Sequence, residues 1–289
     1  SVLRTGPGGR HDHQARRWFA RADGGYSAAV AVATYPGTVS PLRGLDPYTE
    51  AERDVLYGQD TARDELSRLV TADGFRAGLL YGECGVGKTS LIRAGLIPHL
   101  RDHGVVAVLC EDPTQPTQSL AVGMSALGMQ PQAGENAGAF LARIVSNAVA
   151  GQQFVFVIDD ADEVCQDERR VTELSELFGK VVARSGGRAR FLFVAASDRM
   201  HVLGQLERRT GALFPPSARY ELARFAPSEA IAVLDRVLAL SGIAADPKLA
   251  EAIVVAVGRG EPVLPAEVQL AAIALRDLRI GNLAGVQKA

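Results

Sequence analysis

The chain has 289 residues, 47% of them hydrophobic, and a formal net charge of −2. This length and apolar content predict a well-buried core and two compact units. The near-neutral charge argues against a nucleic-acid coat protein and against a polybasic membrane binder. No apolar run approaches the ~20 residues that a transmembrane helix needs, and the amino-terminal residues lack the apolar stretch of a signal peptide.

Cysteine usage points to a reducing, cytoplasmic location. Cys84, Cys110 and Cys165 are far apart in the sequence and form no C-x-x-C pair. An odd number of widely spaced cysteines cannot make a fully paired disulfide framework.

Residues 1–40 differ from the rest of the chain. They begin with a Gly-rich run, continue with a basic stretch at His11–Arg21 and reach Gly24-Gly25. We expect a linker or the tail of an upstream segment here. Trp18 and its two neighbouring arginines form too small a basic-aromatic patch to indicate nucleic-acid binding.

From Leu79 onward, short apolar runs alternate with helical segments, which is typical of a parallel α/β sheet. Continuous apolar runs are expected for strands that helices cover on both faces. The predicted strands are Ala77–Tyr81, Val105–Cys110, Phe154–Ile158, Phe191–Ala196 and Tyr220–Leu222. The predicted helices are Lys88–His103, Gly138–Ala150, Arg169–Arg184 and Met200–Thr210.

After Pro227 the pattern is purely helical. Apolar residues recur there every three or four positions. We therefore predict a boundary near residue 224, between a sheet domain at 41–224 and a small helical lobe at 225–289. The predicted lobe helices are Ser228–Leu240, Pro247–Val257 and Pro265–Leu278.

The segment after the first strand fits the P-loop pattern G-x-x-x-x-G-K-[ST]. Its glycines allow backbone N–H groups to approach phosphate oxygens, and the following helix adds its positive end. Lys88 supplies a charge for the β- and γ-phosphates, and the Thr89 hydroxyl is a predicted Mg²⁺ ligand. The predicted nucleotide-binding residues are Gly82, Glu83, Cys84, Gly85, Val86, Gly87, Lys88, Thr89 and Ser90.

The strand Phe154–Ile158 ends in Asp159, which we predict to hold Mg²⁺ directly or through water. The acids that follow, Asp160, Asp162 and Glu163, are candidates for the base that activates water.

Phe191–Ala196 leads to Arg199, which is either a sensor of the γ-phosphate or a helix-capping residue. The chain lacks the Asn/Thr-Lys-x-Asp segment with which GTPases recognise guanine, so ATP is favoured over GTP. His99 and His103 have helical spacing for a metal, but no third ligand follows from the sequence.

Three stretches resemble the novel branch of the STAND NTPases, which are signal-transduction ATPases. They are PLRGLDPY at 41–48, LYGQD at 56–60 and SLIRAGLIP at 90–98. Sequences of this family typically begin with a Pro-Gly-Leu-x-Pro-[FY] motif, followed by a Phe-Gly-Arg motif. Their phosphate loop is followed by Ser-Leu-[IV]-x-Ala-Gly-Leu-[IL]-Pro. The resemblance continues through Arg199 and covers roughly residues 41–275. It implies an ASCE-type P-loop fold with sheet order 5-1-4-3-2 and a helical lid.

Two residues depart from the family pattern. Gln59 replaces the usual Arg, and His201 stands where an Asp often follows the sensor arginine.

In the lobe, Gly260-Glu261-Pro262 fits the family's Gly-x-Pro element, whose proline packs near the nucleotide base. Pro265 is a rival for that role.

The resemblance implies a nucleotide-controlled switch. ADP would lock the lid on the core, and exchange for ATP would permit self-association and pass a signal to effector or sensor domains on a longer chain. Any hydrolysis is expected to be slow and to reset the switch. Antiviral defence and programmed cell death are roles suggested by the family alone.

Two other functions stay open. One is an AAA+-like working ATPase that acts on a protein or DNA partner, with Arg259 as its lid arginine. The other is a degenerate scaffold that binds nucleotide without hydrolysing it.

Overall fold

The computed structural model of the protein describes residues 40–243, 245–246, 248–282 and 285. The linker expected over residues 1–40 lies outside these ranges, apart from Ser40. None of the helices in the described ranges is long and apolar enough to cross a membrane.

The centre of the fold is a five-stranded parallel sheet with the strand order β2-β3-β4-β1-β5. Read from the opposite edge, this is the predicted order 5-1-4-3-2, which is therefore confirmed. Gly82 pairs with Ala196 and Ile158 with Phe193, so three strands end at the same edge of the sheet. The strands are β1 (Ala77–Gly82), β2 (Val106–Cys110), β3 (Phe154–Ile158), β4 (Ala189–Ala196) and β5 (Arg219–Glu221).

Helices cover both faces of this sheet. In chain order they are a 3-10 helix at Glu50–Val55, α1 (Asp60–Thr71), α2 in three consecutive segments (Lys88–Ser90, the π-helical Leu91–Leu96 and Ile97–Asp102), α3 (Pro116–Ala126), α4 (Ala137–Ser146), α5 (Ala161–Val164), α6 (Glu168–Ser185), a 3-10 helix at Ser197–Leu203, α7 (Gly204–Thr210) and a 3-10 turn at Pro216–Ala218.

The predicted helices do not include α1, α3 or the single turn α5. On α1 the buried residues Ala62, Leu66 and Val70 recur every fourth position and place one face against the core. On α3 the apolar pattern is interrupted by Gly123. A Cβ there would lie 2.5 Å from Val108 Cγ1, so glycine permits the helix to approach β2 closely.

Alternate strand residues build two separate hydrophobic layers. One layer contains seven buried phenylalanines, and the ring centroids of its Phe156 and Phe191 are 5.1 Å apart. The other layer is mainly aliphatic and includes Leu80, Leu192 and Leu66 of α1. The strands β1 to β4 are thus buried on both faces, as their continuous apolar sequences predict, whereas Arg219 and Glu221 of the edge strand β5 are exposed.

Three helices follow the sheet: α8 (Pro227–Leu240), α9 (Leu249–Gly258) and α10 (Pro265–Asp277). They share a third hydrophobic cluster, which also contains Leu42 from the segment before the first strand. Phe225 and Val263 exchange two backbone hydrogen bonds of 2.9 Å and so join the entry to α8 with the entry to α10. We call residues 225–282 the lid.

Candidate nucleotide-binding site

The predicted phosphate loop connects β1 to α2. Gly85 and Gly87 have φ angles of +84° and +94°, a region that residues with a Cβ adopt only at a cost. The glycines of the motif therefore provide the backbone path of the loop. Along that path Val86 is buried, whereas Glu83 and Cys84 are exposed.

Lys88 begins α2, and its side chain folds back over the loop. Its Nζ donates hydrogen bonds of 2.9 Å to the carbonyl oxygens of Gly82 and of Glu83. An ammonium group has three donors, so one proton is left for another acceptor. Burial lowers the pKa of Lys88, while the charge of the nearby Asp159 opposes that shift. A phosphate oxygen is a suitable further partner for this ammonium.

Asp159 lies at the carboxyl end of β3 and is only 7% exposed. Burial raises its pKa, and a hydrogen bond with the Thr89 side chain acts in the opposite direction. The structure thus brings together the two predicted metal ligands from β3 and α2. Both offer hard oxygen atoms, which Mg²⁺ prefers.

No group of three or more His, Cys, Asp or Glu side chains suited to a metal ion occurs among the described residues. A magnesium ion held by Thr89 and Asp159 would therefore take its remaining ligands from phosphate and water, as is usual for this ion. The same finding adds no third ligand to His99 and His103, whose rings are 4.3 Å apart.

The acids after Asp159 form a tight turn. Asp160 has a φ of +50°, and its backbone N–H donates to Asp159 Oδ1 over 3.1 Å. Burial, together with the charges of Asp159, Asp162 and Glu163, raises the pKa of Asp160 to about 7. Burial and the neighbouring carboxylates thus both oppose ionisation of Asp160.

Asp162 and Arg199 form an ion pair. Arg199 Nη1 lies 3.5 Å from Asp162 Oδ2, and the two side chains are 49% and 7% exposed. The arginine after β4 is thereby placed beside the acids that follow β3, and Asp162 is engaged by a cation. Glu163 is partly buried, and His201 is exposed.

The lid contacts the phosphate loop directly. The backbone N–H of Ala266, in the first turn of α10, donates to the carbonyl oxygen of Gly85 over 3.2 Å. A second contact comes from Arg224, which immediately precedes the lid and donates from Nε and Nη2 to the two Glu83 carboxylate oxygens over 3.0 and 2.6 Å. Sequence reasoning missed both contacts. Arg224 and Glu83 are 141 positions apart, and no local pattern links them.

The two candidate prolines of the lid occupy different environments. Pro262 is exposed, whereas Pro265 is partly buried and precedes Ala266, which contacts the loop. Arg259 ends α9 with a φ of +51° and is exposed. Gln59 is 4% exposed, and its Nε2 would lie 3.3 Å from a Cβ built on Gly87.

The fold resembles those of several solved structures. A Walker-type ATPase of Pyrococcus abyssi superposes with a TM-score of 0.59 at 16% identity, covering 84% of this chain and 74% of that one. The Aeropyrum pernix ORC2 protein, solved with ADPNP and ADP, gives a TM-score of 0.58 at 19% identity over 78% of this chain. Drosophila ORC bound to DNA gives 0.55 at 15% identity over 79% of this chain. This chain covers 63% of the length of each of the two ORC chains.

These likenesses establish an AAA+-like α/β fold. A comparison with curated protein sequences found no match. The family described as novel STAND NTPase 1, however, matches residues 41–277, which is most of the chain and includes both the phosphate loop and the lid. The chain belongs to the novel STAND NTPase 1 family of P-loop NTPases.

Proposed function

We propose that this chain is an ATP/ADP-controlled switch in which the bound nucleotide sets how the lid packs on the sheet. The observation that carries the proposal is the hydrogen bond from Ala266 to Gly85, because it joins the lid to the loop that would hold the phosphates. Adjacent to it, Lys88, Thr89 and Asp159 supply a cation and two oxygen ligands for a Mg²⁺–nucleotide complex. A ligand in this loop is therefore within reach of both parts of the switch.

A ligand shifts such an equilibrium only by its differential affinity for the two arrangements. ADP held between loop and lid would stabilise the closed arrangement. ATP adds a γ-phosphate on the side of Asp159, where Arg199 is paired with Asp162. Competition between the γ-phosphate and Asp162 for this guanidinium gives the two nucleotides different effects. Asp160, Asp162 and Glu163 remain the candidate bases for a slow hydrolysis that resets the switch.

The partners follow from this proposal. Opening of the lid would uncover the apolar contact that Leu264 makes with the hydrophobic layer containing Leu80, and exposed apolar surface favours self-association in the ATP state. The signal would then pass to effector or sensor domains on a longer chain.

The test begins with the nucleotide that co-purifies with the protein, followed by light scattering with ADP and with a non-hydrolysable ATP analogue. We expect tightly retained ADP, a compact ADP form and a larger assembly with the analogue. The variant Lys88→Ala should respond to neither nucleotide. Identical size in both nucleotides would refute the switch. Steady turnover stimulated by DNA or a protein substrate would favour a working ATPase instead.

A further inference from the structure

Residues 40–48, which we call the strap, run along the lid before the chain reaches the sheet. Leu42 is 2% exposed and belongs to the hydrophobic cluster of α8, α9 and α10. A Cβ built on Gly44 would lie 3.2 Å from Ile273 Cδ1 of α10. The strap therefore forms part of the lid's packing although it precedes the lid by more than a hundred residues in sequence.

A buried glutamine of α10 fastens the strap. Gln269 is 8% exposed, and its Oε1 accepts hydrogen bonds from the backbone N–H groups of Arg43 and Gly44 over 3.0 and 3.3 Å. Its Nε2 donates to the Pro41 carbonyl oxygen over 3.2 Å and to the Tyr48 hydroxyl oxygen over 2.8 Å. Both acceptor sites and both donor protons of the amide are thus used by the strap.

Tyr48 completes this network and is 8% exposed. Its hydroxyl donates to the Pro41 carbonyl oxygen over 2.5 Å while accepting from Gln269. Burial raises the pKa of Tyr48 well above its usual range, so the hydroxyl keeps the proton that it donates. A satisfied buried network of this kind has one preferred geometry.

The other end of the strap is attached to the core. The backbone N–H of Tyr48 donates to Ser90 Oγ over 3.2 Å, and Ser90 follows Thr89 in the first turn of α2. Arg43 also pairs with Glu52 of the first 3-10 helix over 3.0 Å. The strap is therefore held by α10 along its length and reaches α2 directly behind the phosphate loop.

We propose that the strap couples the lid to the phosphate loop, with Tyr48 and Gln269 as positioning residues for nucleotide binding. The inference rests on the proposed function, because it names the residues through which lid and loop act on each other. Four hydrogen bonds and Leu42 join the strap to the lid, whereas one hydrogen bond from Tyr48 to Ser90 and the Arg43–Glu52 ion pair join it to the rest of the chain. Lid movement should therefore carry the strap along and break the contact with Ser90. Nucleotide state would then change the solvent accessibility of residues 40–48.

Hydrogen exchange of the full chain, with and without ADP, tests this. We expect ADP to slow exchange in the phosphate loop and also at Arg43, Gly44 and Tyr48. Protection of the loop without protection of the strap would overturn the inference and leave the switch itself standing. Exchange of the loop that is unaffected by ADP would overturn both.

Tyr48→Phe removes the hydroxyl and keeps the ring. We expect it to raise the ADP dissociation rate by roughly three- to tenfold, the range for loss of one or two hydrogen bonds. Tyr220→Phe is the control, because it removes a hydroxyl that donates to Glu65 over 2.9 Å in an exposed contact between β5 and α1. Equal ADP dissociation rates in the two variants would refute a positioning role.

Gln269→Leu removes the four hydrogen bonds between the strap and α10, and we expect it to abolish the ADP-dependent protection of the strap. If this variant fails to fold, Tyr48→Phe decides the question alone: ADP-dependent strap protection equal to that of the wild type would refute the coupling.

Discussion

The backbone N–H of Ala266 lies 3.2 Å from the carbonyl oxygen of Gly85, so the first turn of α10 rests on the phosphate loop. The first N–H groups of a helix have no partner within the helix and must find one elsewhere. Here one of them is satisfied by the loop. A rearrangement of the loop on binding phosphate must therefore either carry α10 along or leave this N–H without its partner.

Gly85→Ala should disturb this contact. A Cβ at Gly85 would lie 3.2 Å from Ala266 Cβ, and the residue has a φ of +84°. Gly104→Ala is the control, because Gly104 has a φ of +77° and open space around its Cβ position. Each change should lower the free energy of unfolding by about 1 kcal/mol through backbone strain. Only Gly85→Ala should also accelerate ADP release, measured with a fluorescent ADP. Equal release from both variants would mean that the lid contact does not influence the nucleotide.

Lys88→Ala should weaken ATP binding by at least about a hundredfold, since it removes charge-assisted hydrogen bonds to phosphate. The thermal unfolding temperature should stay near that of the wild type, because the bonds that Lys88 makes in the protein are to carbonyl oxygens of its own loop. Lys180→Ala, on the exposed side of α6, serves as the control. Calorimetry measures the affinity, and unchanged binding in Lys88→Ala would refute the assignment of the site.

Much of the fold could be predicted because its signals are local. The run Phe154–Ile158 is apolar at every position and is followed by a carboxylate, so the bounds of β3 and the place of Asp159 follow directly. The helix α3 gives no such signal, because its Gly123 disfavours a helix in the sequence. The reason for this glycine is a close contact with Val108 of β2, which only the structure shows. On α1, the spacing of Ala62, Leu66 and Val70 is a local signal that predicts an amphipathic helix.

The contacts between the parts of the site could not be predicted. Arg224 binds Glu83 across 141 positions, and Gln269 binds Gly44 across 225. Such pairs depend on how the helices pack, and a single sequence does not show which distant residues come into contact. The π-helical stretch Leu91–Leu96 within α2 was missed for a similar reason, since its apolar residues also fit an ordinary helix.

Cys84 should be the reactive thiol of the protein. It is exposed in the phosphate loop, whereas burial raises the pKa of both Cys110 and Cys165 to about 12 and keeps them protonated near neutral pH. Maleimide labelling should therefore modify one thiol quickly, and Mg-ATP should slow that reaction by covering the loop. Mass spectrometry of the labelled peptides measures the rate. The same rate with and without Mg-ATP would contradict binding of phosphate in this loop.

The acids after β3 should separate by role. Asp159→Ala should weaken Mg²⁺-dependent nucleotide binding, because it removes the buried carboxylate beside Thr89. Asp162→Asn should preserve binding but change the hydrolysis rate, since it also releases Arg199 from its ion pair.

Asp160→Asn and Glu163→Gln complete that set, and single-turnover hydrolysis compares all of them. Removal of the general base should lower the hydrolysis rate by about 10²-fold or more. Unchanged hydrolysis in every variant would place the base elsewhere in the chain or in a neighbouring subunit.

The two prolines of the lid give the sharpest test of how nucleotide and lid communicate. Pro265 is partly buried, and the backbone N–H of its neighbour Ala266 donates to the Gly85 carbonyl oxygen. Pro262, which precedes Val263, is exposed. We therefore expect Pro265→Ala to loosen ADP retention, because proline at the first helical position fixes the backbone that presents the Ala266 N–H. Pro262→Ala should retain ADP like the wild type. Small-angle scattering with ADP should then show a more open particle for Pro265→Ala alone. If Pro262→Ala releases ADP faster and Pro265→Ala does not, the Gly260-Glu261-Pro262 element is the one that senses the nucleotide, and the Ala266 contact is only a packing interaction.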